Sequence, residues 1–588
     1  MRKFSRKQYQ NRKGRTSLNP SVYEVYENYI WKNQQANLAE MLYGTPPLTL
    51  DGLVDRVPSL MELYKGMLWH IPEKMDILKR TLIESNKKLG SLTPKVKENI
   101  EALESGAVES AHQTVVMGGA AYVLNKAMTA VQVSVLSTER GAPLVPFFCV
   151  ADYDSVQAEL VNIRTPLMGH GGNLIGMPVP EGFENSPVSV VPLPSSQWLN
   201  QVEEDIRSNY RPMFKNLERH ARMLVEERLE QALTVARHAF HNSQTLGEWS
   251  QRIMGHLFNV VGNLGIPLLS VSDQGIRELL VEGMEFLLAR ENRERFLKAF
   301  EEATNLIEQH GYSPGIGQRR SDYVPFFYEC PSEECNSSRI ELHYEDLGSA
   351  AILTGKCSSC SEIIEIETPA DSPYLGEIAG HLSPRVDSRQ VLIDTLVPTI
   401  AHVGGPGETA YYAQVIPSAK AMEVPFPLFI KYPRVYFNTP WNEELAKVLE
   451  NEGCEVLHRK EVFGTMGNIA KSRRKNQFDE MNEALAELGK LILGTHSSIN
   501  ACLEETSAEI TKASGQDLER LQLKKLDIER YLSWVFGQYA ENKLGQESSW
   551  SWIEWAINSG FSDLFGPYAR AYVGPMKNGA TVFVNFSL

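Results

Sequence analysis

Four of the seven cysteines form two close pairs with a spacing typical of metal sites. Cys330 and Cys335 enclose four residues, and Cys357 and Cys360, which enclose two, follow after another 21. Each short loop can direct two thiolates at one ion, so the pattern predicts a tetrahedral Zn²⁺ site. With four sulfur ligands and no open position, such a metal would be structural. Four unliganded thiols are the simpler alternative, and His343 between the pairs could replace one cysteine.

A glycine-rich turn, GGPGE at residues 404–408, is the second candidate for chemistry. It separates a predicted strand at 391–403 from a predicted helix at 408–422. Glycines let a ligand approach the backbone, and the free N–H groups at a helix start attract anions. An ordinary Gly-Pro turn is the alternative. The residues predicted here to bind the substrate or a nucleotide are Gly404, Gly405, Gly407 and Glu408.

Two further patterns suit acid–base chemistry. Asp152 and Asp154 end the run 143–154, which is short and apolar and predicts an inner parallel strand. Neighbouring carboxylates can bind a hydroxyl or an amine, or shift each other's pKa, and a solvated loop is the alternative. His112 stands at a predicted loop edge before a buried helix at 120–139, where it is either a hydrogen-bonded structural residue or a catalyst.

Hydrophobic periodicity predicts an α/β core interrupted by insertions. In such open sheets a ligand binds beyond the carboxyl ends of the strands. Residues 464–475, GTMGNIAKSRRK, predict an exposed helix start, with a phosphate-contacting loop as the alternative. The predicted divisions are a basic disordered tail at 1–18, an N-terminal helical region at 19–106, the first half of the core at 107–154, a mostly helical insertion at 155–319, a zinc ribbon at 320–368, the second half of the core at 369–469, a helical hairpin or coiled coil at 470–545, and a return to the core at 546–588.

Composition excludes several classes of protein. The 588 residues, 43% apolar and 22% charged, indicate a globular chain and exclude a disordered, collagen-like or disulfide-stapled one. The net charge of the whole chain is −15, but the first 15 residues hold seven basic side chains and no acidic one, so residues 16–588 carry a net charge of −22. An acidic body of this kind argues against a protein that coats nucleic acid. Without a membrane span or signal-peptide core, we expect a soluble, cytoplasmic protein. Cys149, Cys454 and Cys502 stand alone, and Cys149 is predicted to be a buried core thiol.

These segments together resemble the BshC family, the cysteine ligases of bacillithiol biosynthesis, from about Leu89 to the C-terminus. The most similar stretch is HLSPRVDSRQVLIDTLVPTIAHVGGPGETAYYAQVIP at 381–417. The family has Ser-Pro-x-Val, an arginine three residues on, and then GGPGE-x-AY-x-AQ. Further segments that resemble the family are SNKKLGSLTPKVKENIEAL, TLGEWSQRIMGHLF, QHGYSPGIGQ and the ending SGFSDLF…NGATVFVNFSL.

The resemblance implies a class I synthetase-like Rossmann core with helical connecting insertions and a C-terminal coiled coil that joins two copies in a homodimer. It implies the addition of cysteine to the amine of glucosaminyl-malate or a similar amino-sugar conjugate. The carboxylate would need activation, by ATP or another nucleotide. Besides the glycine turn, the positions implied to bind substrate or nucleotide are Ser110, Gln113, Tyr122, Lys126, Arg389 and Tyr411.

Two of the motifs in which the sequence departs from the family bear on acid–base chemistry. The family's Thr-Gly-Gln-Gln is replaced by residues 110–113, Ser-Ala-His-Gln, and its Glu-Asp-His-Asp strand end is shortened to Asp152-Tyr153-Asp154. A tyrosine, with an ordinary pKa near 10, is a poor proton shuttle at neutral pH, so we hypothesise that His112 supplies the lost imidazole. The predicted zinc ribbon is an insertion relative to the family pattern. The predicted catalytic residues are His112, Asp152 and Asp154.

Two classes of function remain open at this point. The first is a nucleotide-dependent ligase of the BshC type that joins cysteine or a related amino acid to an amino-sugar amine. The second is a synthetase-derived binding module that has lost catalysis and holds RNA or a protein partner. The altered motifs favour the second, whereas the intact GGPGE turn and the acidic body favour the first.

Overall fold

The computed structural model describes residues 19–65, 72–165, 173–538, 547, 550–572 and 576–588. The predicted basic tail and residues 539–545 of the predicted hairpin lie outside these ranges. Strands are β1 (Ala107–Gln113), β2 (Val145–Ala151), β3 (Asn162–Thr165), β4 (Asn173–Gly176), β5 (Leu268–Ser270), β6 (Tyr323–Glu329), β7 (Arg339–Asp346), β8 (Ala350–Lys356), β9 (Ile363–Pro369), β10 (Leu382–Pro384), β11 (Thr399–Gly404), β12 (Leu428–Lys431), β13 (Arg434–Asn438) and β14 (Thr581–Asn585).

The α-helices of the described residues surround these strands. They are α1 (Tyr23–Lys32), α2 (Ala36–Tyr43), α3 (Leu50–Val54), α4 (Val57–Lys65), α5 (Pro72–Leu89), α6 (Pro94–Glu101), α7 (Tyr122–Glu139), α8 (Ser196–Phe214), α9 (Arg219–His241), α10 (Leu246–Gly255), α11 (Gln274–Leu288), α12 (Arg290–Gln309), α13 (Arg389–Asp394), α14 (Pro406–Ala421), α15 (Pro440–Asn451), α16 (Arg459–Arg474), α17 (Phe478–Ile510), α18 (Gln516–Gln538), α19 (Trp552–Ser559) and α20 (Gly566–Arg570).

The central sheet is parallel, with strand order β12-β11-β1-β2-β5. Every residue of β2 and β11 is buried, because helices cover both faces of the sheet. Phe147 and Cys149 of β2 pack with α5 and α11, whereas Phe148 and Val150 pack with α7. The α/β class with a parallel sheet is therefore confirmed, and so is the burial of the Cys149 thiol.

The order of the strands creates a crevice. From β1 the chain proceeds to β2 and β5 on one side, and β11 and β12 are added on the other. Ser110 of β1 is level with Val403 of β11, so both strands end side by side. The helices that follow β1 and β11 leave in different directions at such a switch point, which is where open α/β sheets bind ligands.

Three local predictions need correction. His112 is part of β1, the central strand, and not at a loop edge. The predicted strand at 391–403 is helix α13 followed by β11, because an apolar helix buried on all sides shows no periodicity that separates it from a buried strand. Residues 464–474 lie inside α16, which begins at Arg459, so they are neither a helix start nor a phosphate-contacting loop.

The apolar segment 425–437 contains two strands. β12 joins the central sheet, whereas β13 pairs in parallel with the C-terminal β14. Pro433 lies between them and has no N–H group to continue a ladder. The C-terminal segment thus returns to the body of the protein through a strand.

The cysteine-bearing segment forms an antiparallel sheet of order β10-β6-β7-β8-β9. Val324 and Phe326 of β6 share a core with Leu280 of α11. A buried ion pair between Arg277 and Glu329, with an Nη2–Oε1 distance of 2.7 Å, adds to this contact. The sheet is therefore packed against the central α/β unit and continuous with its core.

Long helices occupy the segment after the core. Helices α16, α17 and α18 contact one another in sequence order. Cys454 and Cys502 were expected to stand alone, but they form a disulfide that ties the end of α15 to α17, with a Cα–Cα distance of 6.3 Å. Within the described ranges, no helix combines the length and the apolar character needed to cross a membrane.

Candidate functional site

The crevice lies beyond the carboxyl ends of the central strands. We use this name for the space bordered by residues 110–113, 152–154, 404–408 and Tyr432. Gly404 ends β11, and α14 begins two residues later at Pro406, so the glycine turn spans the change from strand to helix. The loop before β6 also contacts this helix, where a side chain at Gly315 would collide with the backbone of Ala410.

A buried ion pair braces the turn. Lys126 of α7 extends its Nζ atom to within 2.6 Å of Glu408 Oε2 and donates a second bond to the Ala111 carbonyl at 2.9 Å. The same Glu408 oxygen accepts the Gly405 N–H at 2.7 Å, which caps the start of α14. Burial alone would raise the pKa of Glu408, but Lys126 and His402 hold it well below its ordinary value. The carboxylate thus stays charged and fixes the glycine turn.

This pair continues into a buried network that joins the predicted Arg389 to two residues that were not predicted, Glu109 and His402. His402 of β11 faces Glu408 with Nε2 at 3.4 Å and Glu109 of β1 with Nδ1 at 3.2 Å. Arg389 forms an ion pair with Glu109 and donates to the Tyr412 hydroxyl at 2.9 Å. Burial opposes ionisation of Glu109, yet Arg389 and His402 lower its pKa to about 2. The available signal was an ionisable residue at a position where each strand is otherwise apolar or small, Glu109 in β1 and His402 in β11.

His112 is paired with Tyr122. Its Nδ1 atom lies 2.7 Å from the Gln113 carbonyl, which can only accept, so this nitrogen carries the proton. Nε2 must then accept the Tyr122 hydroxyl, with which it is in contact. Tyr122 in turn stacks on Tyr432 at a centroid distance of 6.1 Å. Burial and the charge of Lys126 lower the pKa of His112 to about 4, so the imidazole is neutral at pH 7.

The lowered pKa of His112 predicts a pH-dependent stability. The folded value of about 4 lies below the ordinary value of 6.5, so the unfolded chain binds more protons between these limits. The free energy of unfolding should therefore decrease as the pH falls from 6.5 to 4, by at most about 1.4 kcal/mol per pH unit from this group. Urea titrations at several pH values should show a shallower dependence for His112→Gln.

The exposed His310 at the end of α12 offers a matched control. His310→Gln should keep the wild-type slope over the same pH range. An unchanged slope in His112→Gln would contradict the assignment of this dependence to the crevice histidine.

The two acidic residues after β2 have different partners. Asp152 is buried and accepts hydrogen bonds from Gln251, Ser270 and the Ser272 N–H, and burial raises its pKa. Asp154 is partly exposed and accepts a bond of 2.5 Å from Gln113 Nε2. Of the two carboxylates, only Asp154 is partly exposed.

The remaining predicted residues are distributed around this centre. Ser110 is buried on β1, and its Oγ atom has no hydrogen-bond partner among the described residues. Arg389 lies within the buried network below the crevice, and Tyr411 is half-buried on α14 beside Tyr412. The structure thus brings Ser110, His112 and Gln113 to the same strand end as the Lys126–Glu408 pair.

The glycines of the turn serve different purposes. A Cβ atom on Gly404 would lie 2.4 Å from the Phe429 ring, so packing excludes any side chain there. A Cβ atom on Gly407 would meet no atom within 4 Å. Packing against Phe429 therefore explains why residue 404 is a glycine. No such contact explains the glycine at 407, which is free to contact a ligand.

Alanine variants should separate these roles. Gly404→Ala should destabilise the fold by about 1–3 kcal/mol, because the strand or Phe429 must move. Gly407→Ala should leave the unfolding midpoint unchanged or slightly higher, since alanine favours a helix. The same variant should raise the KM for the ligand that contacts this turn several-fold. Urea unfolding and steady-state kinetics measure the two effects. Unchanged KM in Gly407→Ala would mean that no ligand approaches this position.

The four cysteines of the predicted metal site converge. Their sulfur atoms all lie within 4.8 Å of one another, with 3.8 Å between Cys330 and Cys360 and between Cys335 and Cys357. Burial opposes ionisation of Cys357, but the N–H groups of Cys360 and Ser359 lower its pKa to about 7. His343 is outside this cluster and faces Asp322 instead, at 3.1 Å. The geometry therefore selects four sulfur ligands for a metal ion.

Known proteins that are similar to this chain identify the family to which its architecture corresponds. A family model described as "Bacillithiol biosynthesis BshC, N-terminal Rossmann-like domain" matches residues 65–435. Proteins named "Putative cysteine ligase BshC" from Lysinibacillus sphaericus and a Geobacillus species are both 22% identical, over 72% and 79% of this chain and 72% and 83% of their own. The one from Chloroherpeton thalassium is 24% identical over 38% of this chain and 39% of its own length. These names do not support an RNA-binding module.

Proposed function

Since the chain belongs to the BshC family, we propose that it is a carbon–nitrogen ligase of bacillithiol-type thiol biosynthesis. The reaction joins the carboxylate of cysteine, or of a related amino acid, to the amine of glucosaminyl-malate or a similar amino-sugar conjugate. The observation that carries this proposal is the GGPGE turn at the strand switch point, braced by the buried Lys126–Glu408 pair. The names of the matched relatives also support it.

Amide formation requires an activated carboxylate, and we assign the activation of this carboxylate to ATP or another nucleotide. The start of α14 supports an anion site. Pro406 has no N–H group and the Gly405 N–H is bonded to Glu408, so the N–H groups that remain, beginning with that of Gly407, and the positive end of the helix dipole attract phosphate or carboxylate oxygens. Gly407 allows a ligand to approach this backbone without a steric conflict. We assign Ser110, whose buried and unpartnered hydroxyl lies in the middle of β1 level with Val403, as a further donor.

The His112–Tyr122 pair provides a route for the proton of the attacking amine. A neutral amine is the nucleophile, so a proton must leave the nitrogen as the C–N bond forms. Tyr122 Oη accepts this proton while its own proton passes to His112 Nε2, which is a free base at pH 7. We assign Asp154, which accepts a hydrogen bond from Gln113, to bind the ammonium or a hydroxyl of the acceptor.

Zn²⁺ is the metal that best fits the four cysteines. Tetrahedral Zn²⁺ with bonds of about 2.3 Å places its sulfur ligands about 3.8 Å apart. Two of the sulfur pairs have this separation. A closed shell of four thiolates excludes a role in the chemical step, so the ion would stabilise the cysteine-bearing sheet.

We also assign α17 and α18 to a coiled coil through which two copies associate. Leu485, Leu493 and Leu523 on these helices are between 39% and 56% exposed, so they are available for contact with a second copy. Light scattering of the purified chain tests this assignment, and a monomer at micromolar concentration would contradict it.

The activity test uses the purified chain with cysteine, glucosaminyl-malate and ATP, followed by mass spectrometry. We expect the cysteinyl conjugate only when all three are present, and single omissions, other amino acids and other nucleotides define specificity. His112→Ala should abolish turnover while it preserves the far-ultraviolet circular dichroism and the zinc content. No conjugate from folded, zinc-loaded protein with any of these nucleotides would overturn the proposed function, and full activity in His112→Ala would remove the proton route.

A further inference from the structure

The metal cluster and the crevice are linked by one arginine. Arg339 is the first residue of β7, four positions after Cys335. The N–H groups of Cys330 and Ser338 bond the carbonyls of Ser338 and Cys335 at 2.9 Å each, so the cysteine loop determines where β7 begins. From there, Arg339 Nη1 reaches to 3.6 Å from Asp154 Oδ1. Asp154 holds Gln113 on β1 with its other oxygen.

The arginine is held in a defined orientation. Its guanidinium lies 4.1 Å from the centroid of the Phe327 ring and 5.5 Å from that of Tyr153. Nη2 donates to the Pro384 carbonyl at 3.1 Å, and the side chain is 8% exposed. An arginine this deeply buried beside one carboxylate restricts where that carboxylate can be.

A loop forms a second connection. Around the cysteines, Arg339 N–H donates to the Asn185 carbonyl at 3.0 Å, and Asn185 Nδ2 donates to Ser358 Oγ at 3.1 Å. Three residues later, the Val188 N–H donates to the Asp154 carbonyl at 2.9 Å, and the Ser189 N–H does the same to Asp152. The loop at 182–189 therefore contacts the metal cluster at one end and the end of β2 at the other.

We propose that metal binding at the four cysteines positions Asp154 in the crevice through Arg339 and the loop at 182–189. The cysteine-bearing sheet then has two roles: it stabilises the fold, and it positions a residue of the catalytic machinery. Arg339 is a positioning residue in this scheme, because it acts on the substrate through Asp154. The kinetic part of the proposal rests on the proposed ligase function, whereas the structural coupling does not.

Hydrogen exchange on the full chain tests the coupling without an activity assay. Removal of the metal with a chelator, under conditions that keep the chain folded, should raise the exchange of the N–H groups of Val156, Val188 and Ser189 by roughly ten-fold. Exchange in α9 serves as the internal control and should not change. An increase confined to residues 330–362 would overturn the proposal.

Arg339→Met and a matched variant separate the arginine from general effects of the sheet. In the metal-loaded protein, Arg339→Met should lower kcat by up to about 100-fold with little change in KM, because Asp154 is misplaced. Arg385 stacks on the same Phe327 ring at 4.6 Å but pairs with Glu341 of its own sheet at 3.0 Å. Arg385→Met should therefore stay within about two-fold of the wild-type kcat.

The two proposals fail in different ways. A wild-type kcat in zinc-loaded Arg339→Met would overturn the coupling and leave the ligase function intact. No product from the wild-type chain would overturn the function, and the exchange experiment would still decide the coupling. Equal losses of kcat in Arg339→Met and Arg385→Met would also overturn the coupling, because a general weakening of the cysteine-bearing sheet would explain both losses.

Discussion

Cys335→Ser should remove the metal and produce the largest loss of stability of any single substitution in the cysteine-bearing sheet. Cys335 and Cys357 are buried with their sulfur atoms 3.8 Å apart, and the shell has no spare ligand. Structural Zn²⁺ contributes on the order of 10 kcal/mol in small peptides. We expect about one zinc per wild-type chain by elemental analysis and less than about 0.1 in the variant, with a separate, lower melting transition.

His343→Gln is the matched control for this experiment. His343 lies between the cysteine pairs in sequence but faces Asp322 in the structure, so the variant should keep its zinc and its melting transition. Zinc lost from His343→Gln, or retained at one equivalent in Cys335→Ser, would contradict a shell of four cysteines.

Lys126→Met should combine a large loss of stability with a loss of turnover. It leaves Glu408, a carboxylate with a strongly lowered pKa, without its cation. Breaking a buried pair by removing one partner typically costs about 3–5 kcal/mol. Because Glu408 also caps α14 through the Gly405 N–H, the glycine turn should lose its position, and we expect no detectable conjugate.

A double-mutant cycle distinguishes the pair from its surroundings. Lys126→Met/Glu408→Gln should recover part of the stability that either single variant loses, because no unpaired charge remains buried. Lys65→Ala removes a pair in which Lys65 and Glu62 are 67% and 73% exposed, and it should cost less than about 1 kcal/mol. Additive losses in the double variant would show that Lys126 and Glu408 stabilise the protein independently.

Local patterns predicted the parts of the site that depend on chain-local geometry. The GGPGE turn is read correctly because a strand end, glycines and a helix start are adjacent in the sequence. The cysteine cluster is read correctly because short loops limit where two thiolates can point. The helix at 120–139 and the strand within 143–154 follow from long apolar segments.

Some predictions were wrong because they concern buried segments, where hydrophobic periodicity is lost, or contacts between distant segments. α13 is buried on all sides and was predicted as a strand, because its apolar run lacks helical periodicity. Cys454 and Cys502 are 48 positions apart, and nothing in the sequence indicates that α15 and α17 bring them together.

The sequence by itself therefore determined the chemistry that neighbouring residues can perform: four thiolates for a metal, a glycine turn before a helix, and an imidazole ahead of a buried helix. Only the tertiary structure decided which distant groups act together. Glu109 and His402 become one network with Lys126 because β1 and β11 are adjacent in the sheet, although almost 300 positions separate them. Likewise, Arg339 reaches Asp154 because a shared core packs the cysteine-bearing sheet against the end of β2. Such contacts depend on packing between elements, which no local pattern of residues encodes.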